Sequence, residues 1–130
     1  MKNLALSLSI FLLFTFWSYA DKASTSRDIT VAEAAKILAD DPDVVVLDIR
    51  TPEEYSDGHI EGALLIDYFD DAFDSEIDKL DRDKVYVMHC ASGGRSGKAV
   101  KKFSDKGFQN ILHLKPGFKG WKKAGQPVAK

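Results

Sequence analysis

Apolar positions along this chain follow two rhythms in turn, a spacing of three to four residues and short unbroken runs. "TVAEAAKILAD" sets Val31, Ala34 or Ala35 and Leu38 on one helical stripe, with Thr30 and Glu33 spaced as a capping box. Pro42 interrupts it, and "VVVLD" (Val44 to Asp48) is a continuous β-branched run, the pattern of a strand covered on both faces. Thr51-Pro52-Glu53-Glu54 opens a second helix with a cap, a proline in the first turn and acids near the positive end, and Gly58 stops it. "ALLI" (Ala63 to Ile66) reads as a short strand. Phe69, Phe73 and Ile77 recur every four residues and predict a helix with acids on its other face. "VYVMH" (Val85 to His89) is another buried strand. Ser96 to Lys106 follows as a helix with Ala99, Val100 and Phe103 inward and Gly107 as its stop. "NILHL" (Asn110 to Leu114) is the last strand, and Phe118 to Ala124 a last short helix.

Strands and helices alternating at this spacing predict the α/β class: one domain over residues 30–130, with a mainly parallel central sheet and helices on both faces. In such sheets ligands bind beyond the carboxyl ends of the strands. The chain's single cysteine, Cys90, stands at one of those ends, in "HCASGGRSG" (His89 to Gly97).

The first twenty residues break the alternation. Lys2 precedes an apolar stretch from Leu4 to Trp17, and Ser18-Tyr19-Ala20 supplies small residues at a cleavage position. This predicts a secretory signal peptide over residues 1–20, and with it a periplasmic location and no stable membrane contact after cleavage. Residues 21–29 are expected to form a flexible polar lead-in. The formal net charge of -2 gives no global basic field, so no nucleic-acid partner is expected. The mature protein is expected to be a monomer. In an oxidising compartment a lone cysteine has no partner within its own chain. Cys90 is therefore either a buried filler or a free thiol kept for chemistry.

The loop favours chemistry. A thiol attacks only as a thiolate, and three features here stabilise that anion. Ala91, Ser92, Gly93 and Gly94 are small enough for a tight turn whose successive N–H groups converge on one centre. The loop runs into a helix N-terminus at Ser96, where the helix dipole favours negative charge. Arg95 adds a permanent cation and is read as an anion contact rather than a structural ion pair. Phosphoryl transfer, arsenate reduction and sulfur transfer all suit a Cys and an Arg so placed. Phosphatase loops set five residues between the two, and here only four intervene. The smaller cradle better matches a terminal persulfide sulfur.

Three segments in order then resemble the single-domain rhodaneses, a sulfurtransferase family. "VVVLDIRTPEEYSDGHIEGALLI" resembles the family's N-terminal signature, "CASGGRS" its six-residue active-site loop, and "LKPGFKGWKKAGQPV" its C-terminal signature. The likeness spans about Thr30 to Val128. It implies transfer of sulfane sulfur from a donor such as thiosulfate to Cys90, and removal by cyanide or a small thiol, without metal or organic cofactor. It makes Cys90 the nucleophile and Ala91, Ser92, Gly93, Gly94, Arg95 and Ser96 the anion-binding loop. The chain departs from the family at Ala91, where many members carry a second cation, at Glu61 in place of a proline, and at Pro116-Gly117 in place of paired glycines.

The remaining polar residues read as structural. Asp48 and Arg50 are expected to pair at the sheet end, His59 to satisfy local backbone groups, and Trp121 to pack the last helix. His89 and Cys90 are neighbours on a strand, so their side chains should face opposite ways. The acids from Asp67 to Asp78 lack the alternation and central glycine of a calcium loop and read as a solvated helix face. Phe69 and Phe73, on the same helix, are large enough to line an entrance.

Overall fold

The computed structural model describes residues 24–130. The signal peptide expected over residues 1–20 lies outside the described residues. The strands are β1 (Arg27–Ile29), β2 (Val45–Asp48), β3 (Leu64–Leu65), β4 (Tyr86–His89) and β5 (Ile111–Leu114). The helices are α1 (Val31–Asp40), α2 (Pro52–Asp57), α3 (Phe73–Asp78), α4 (Gly94–Asp105) and α5 (Gly117–Lys123). The strands form one sheet in the order β1-β5-β4-β2-β3, with every pairing parallel.

The continuous apolar runs resolve into two faces because side chains alternate along a strand. Leu47, Ile49, Tyr86, Met88, Cys90 and Ile111 meet Phe73 and Ile77 of α3 and Ala99 and Phe103 of α4 on one face. Val46, Val87, Leu112 and Leu114 meet Ala34 of α1 and Phe118 and Trp121 of α5 on the other. Both faces are covered, as the runs predicted. The capping box expected at Thr30 forms, with the Thr30 hydroxyl accepting from the Glu33 amide, and the cap expected at Thr51 is a second box, with Thr51 accepting from the Glu54 amide.

Three boundaries differ from the sequence expectation by two residues or more. The lead-in expected over 21–29 is corrected at its end, since Arg27–Ile29 is a strand paired with β5. Ile29 is its only buried side chain, so the segment has no alternation to read. Its identity as a strand comes from the edge that β5 offers. The helix expected from Phe69 begins only at Phe73. The Asp67 carboxylate accepts from the Phe69 amide and the Asp70 carboxylate from the Ala72 amide. Those short side chains hold the preceding backbone in turns instead of a helix. Helix α4 begins at Gly94 rather than Ser96, because Gly93 takes a left-handed conformation (φ 95°) and turns the chain into the helix at once.

Candidate active site

The loop after β4 is built around the Cys90 sulfur. The Gly93 amide donates to Sγ at 3.2 Å, and the Ser96 hydroxyl donates to it at 3.3 Å. Burial pushes the thiol's pKa up. The Ser96 hydroxyl and the amides of Ser96, Ser92 and Gly93 outweigh it, and the net shift is downward. Cys90 is only 1% exposed: its side chain belongs to the apolar cluster on this face of the sheet, while its sulfur meets the Gly93 amide and the Ser96 hydroxyl.

Helix α5 holds the cradle from behind. The Phe118 amide donates to the Cys90 carbonyl at 2.9 Å and the Lys119 amide to the Ala91 carbonyl at 3.0 Å. These bonds turn the loop carbonyls away from the sulfur and leave the amides free to face it. Close approach demands glycine at two points. A Cβ on Gly93 (φ 95°) would sit 2.4 Å from the Lys115 carbonyl oxygen, and one on Gly117 (φ 69°) 2.4 Å from the Ala91 oxygen. Gly94 has nothing within 4 Å of its Cβ position and no positive φ. Gly93→Ala and Gly117→Ala are each expected to lower stability by about 2 kcal/mol or more, from backbone strain and clash. Gly94→Ala should stay within ~1 kcal/mol of wild type. Urea midpoints of the three variants check this ranking.

The Arg95 guanidinium forms a bidentate pair with Glu54, Nη1 to Oε1 at 2.7 Å and Nη2 to Oε2 at 2.9 Å, and hydrogen bonding to Glu54, with a further contribution from the Cys90 sulfur, raises its pKa. Glu54 is already fixed in the α2 capping box, so its carboxylate is a preformed partner for a planar fork. Hydrogen bonding from Arg95 lowers the Glu54 carboxyl pKa to about 2. The sign follows directly. A depressed carboxyl pKa stabilises the fold above the unfolded value, and the contribution drains away as pH falls from roughly 4.5 toward 2. Glu54→Gln should therefore lie below wild type in urea midpoint at neutral pH, and the gap should close as the solution is acidified through that window.

The other site residues fall as follows. Ser92 and Gly94 are exposed at the loop rim, while Ser96 is fully buried beneath it. Phe69 is 66% exposed and lies against the Arg95 guanidinium, 5.5 Å from ring centroid to Cζ, whereas Phe73 is buried in the core. Lys119 and Lys122 are exposed on α5 and border a cleft that includes Ala91. Asp48 and Arg50 form the expected buried pair, and His59 Nδ1 donates to the Tyr55 carbonyl, 3.0 Å away. Trp121 is buried and donates to the Pro127 carbonyl. The acidic run is partly paired: Asp74 meets Lys102, and Asp78 meets Lys106. His89 faces away from the sulfur, as its strand position required. Its Nδ1 lies 2.9 Å from the Cys90 carbonyl, and burial lowers its pKa so that the ring is neutral.

A rhodanese-like domain model matches residues 30–124. The chain belongs to the rhodanese-like family. A sulfurtransferase of Allochromatium vinosum is 33% identical over 78% of this chain and 94% of its own length. A protein of Arabidopsis thaliana named dual specificity phosphatase Cdc25 is 31% identical over 91% of this chain and 90% of its own. A solved rhodanese-related protein from Thermoplasma volcanium superposes with a TM-score of 0.71 at 31% identity, covering 79% of this chain and 97% of that one. The chain also matches tRNA uridine(34) hydroxylases, such as that of Pectobacterium atrosepticum, but spans only 25% of that protein's length. The rhodanese-like domain here is thus of the sulfur-transfer type in family and fold.

Sequence reading found the loop of this rhodanese-like domain but missed three residues around it. Glu54 was visible only as a helix-capping acid. His113 looked like one polar position in a strand, and Asp28 fell within the supposed lead-in. Each acts through a partner distant in sequence, and no local pattern marks such a pairing.

Proposed function

We propose that this protein moves sulfane sulfur from a donor such as thiosulfate, through a Cys90 persulfide, to cyanide or a thiol. The observation that carries the reading is the Cys90 sulfur held by the Gly93 amide and the Ser96 hydroxyl at the carboxyl end of β4. The thiolate attacks the outer sulfur of thiosulfate, the S–S bond breaks, and sulfite leaves with the bonding pair. The persulfide's terminal sulfur then carries the charge that the loop amides are arranged to stabilise. Cyanide attacks that sulfur, thiocyanate departs, and the Cys90 thiolate returns. Lys119 and Lys122 beside Ala91 join Arg95 in supplying the positive field for an anionic donor.

The reading includes export to the periplasm, supported by the pattern of residues 1–20, and a monomeric mature protein. Intact mass after thiosulfate treatment tests loading and leader cleavage together. A gain of one sulfur atom on a chain starting at Asp21 is expected; an unchanged mass rejects the persulfide.

The phosphatase name of one relative favours a second reading, phosphoryl transfer at Cys90. The four-residue spacing and the Arg95 fork already spent on Glu54 count against it. Hydrolysis of a small aryl phosphate that disappears in Cys90→Ser would reinstate it.

A further inference from the structure

The β1–β5 register places Asp28 opposite His113, and both lie on the sheet face that carries Cys90. An unbroken polar line results. Asp28 Oδ1 is 2.9 Å from His113 Nδ1, His113 Nε2 is 2.7 Å from Ser96 Oγ, and Ser96 Oγ is 3.3 Å from Cys90 Sγ. We propose that Asp28, His113 and Ser96 form a proton-transfer chain that receives the Cys90 proton when its thiolate forms. This rests on the reading of Cys90 as the nucleophile and adds the residues that ready it.

Proton counting gives the chain two states. The Ser96 hydroxyl has one hydrogen and two neighbours able to accept it. When that hydrogen points to the sulfur, Ser96 Oγ must accept from His113 Nε2–H. Because Nδ1 faces a carboxylate, it too carries a hydrogen, and the ring is an imidazolium. When the hydrogen instead points to Nε2, the ring is neutral and the sulfur's own hydrogen fills the gap to Oγ. Going from the second state to the first, the Cys90 proton moves to Ser96 Oγ as Ser96 passes its own to His113 Nε2. Ser96 stays neutral, and the products are a thiolate and an imidazolium.

The surroundings favour this exchange. Cys90, Ser96 and His113 are at most 4% exposed, so water does not compete from the sulfur to the ring, while Asp28 at the outer end is exposed. Asp28 faces the ring from β1. Lys115, just after β5, reaches the carboxylate's other oxygen at 3.8 Å, while α4 presents Gly97 and Val100 to this side beside Ser96 itself. The adjacent histidine cannot substitute. His89 lies on the opposite face, with Nδ1 engaged at the Cys90 carbonyl. In the sulfur-transfer cycle the same hydroxyl serves twice, once when the thiolate attacks and again when it leaves the persulfide. His113 and Asp28 are positioning residues, because they reach the sulfur only through Ser96.

Two measurements on the purified protein test the chain, and neither needs sulfur-transfer activity. The first is the pH profile of Cys90 alkylation by iodoacetamide. In His113→Gln, whose amide can still donate to Ser96 but cannot take up a proton, the midpoint should rise by about one pH unit. Asp28→Asn should shift it in the same direction. Alkylation below the midpoint would then slow roughly tenfold. A His113→Gln profile matching wild type overturns the proposal. The second is nitrogen NMR of the His113 ring, which should show an inflection shared with Cys90 in wild type and absent in Cys90→Ala. Identical ring titrations in the two proteins overturn it even if the His113 variants fail to fold. Coupling seen in a protein that transfers no sulfur would leave the proton chain standing and reject only the proposed function.

Discussion

Cys90→Ala is expected to reduce thiocyanate formation from thiosulfate and cyanide to background, a loss on the order of 10³ or more. The reaction passes through a covalent sulfur on this one atom, and the described residues offer no other cysteine. The cradle would remain: the Gly93 amide, the Ser96 hydroxyl and the α5 bonds to the loop carbonyls do not depend on the thiol for their placement. The fold should lose only about 1 kcal/mol, in the range of ordinary point substitutions. Cys90→Ser sharpens the comparison. It puts a hydroxyl where the sulfur sits, keeps the hydrogen-bonding capacity, and cannot hold a persulfide. Both variants should be inactive and folded. Equal turnover in wild type and Cys90→Ala would reject the assignment outright. Sulfur loading without turnover in wild type would instead mark a carrier that holds sulfur until a partner collects it.

Asp48→Ala should produce the largest stability loss, about 3–5 kcal/mol, read from urea denaturation. Asp48 and Arg50 are 0% and 3% exposed. Arg50 sends Nε to Oδ1 at 2.9 Å and Nη2 to Oδ2 at 2.7 Å. Its remaining partners are the Gly58 carbonyl at 2.8 Å and the Phe118 ring, 4.0 Å from Cζ to centroid. Without the carboxylate, the guanidinium keeps one carbonyl and one aromatic face, too little to replace its hydration. A typical domain has roughly 5–15 kcal/mol of stability, so the variant would be near its limit. Activity would suffer indirectly, because Phe118 donates the amide that holds the Cys90 carbonyl. The double variant Asp48→Leu with Arg50→Met removes both charges and should recover most of the stability. A loss below ~1 kcal/mol in Asp48→Ala would show that the buried pair is not what secures this end of the sheet.

Local features were legible in the sequence because their causes are local. The capping box at Thr30 and the cap at Thr51 need only four consecutive residues. The runs at residues 44–48 and 85–89 declared buried parallel strands, and the small residues after Cys90 declared a tight loop at a strand's carboxyl end. Those patterns were enough for the fold class and for the nucleophile. Helix α3 was read too long because the apolar spacing of Phe69 and Phe73 ignored the Asx turns at Asp67 and Asp70.

By itself, then, the sequence determined a two-faced parallel sheet and a cysteine presented from a glycine-rich turn. Only the tertiary structure decided what that cysteine's loop touches. Arg95 and Glu54 are 41 positions apart, and His113 and Asp28 are 85 apart. Strand order and register bring those pairs together, and both are settled by burying two apolar faces over the whole domain. A short polar segment such as Arg27–Ile29 takes its place in the sheet from the edge it meets, so its chemistry becomes visible only after the chain has folded.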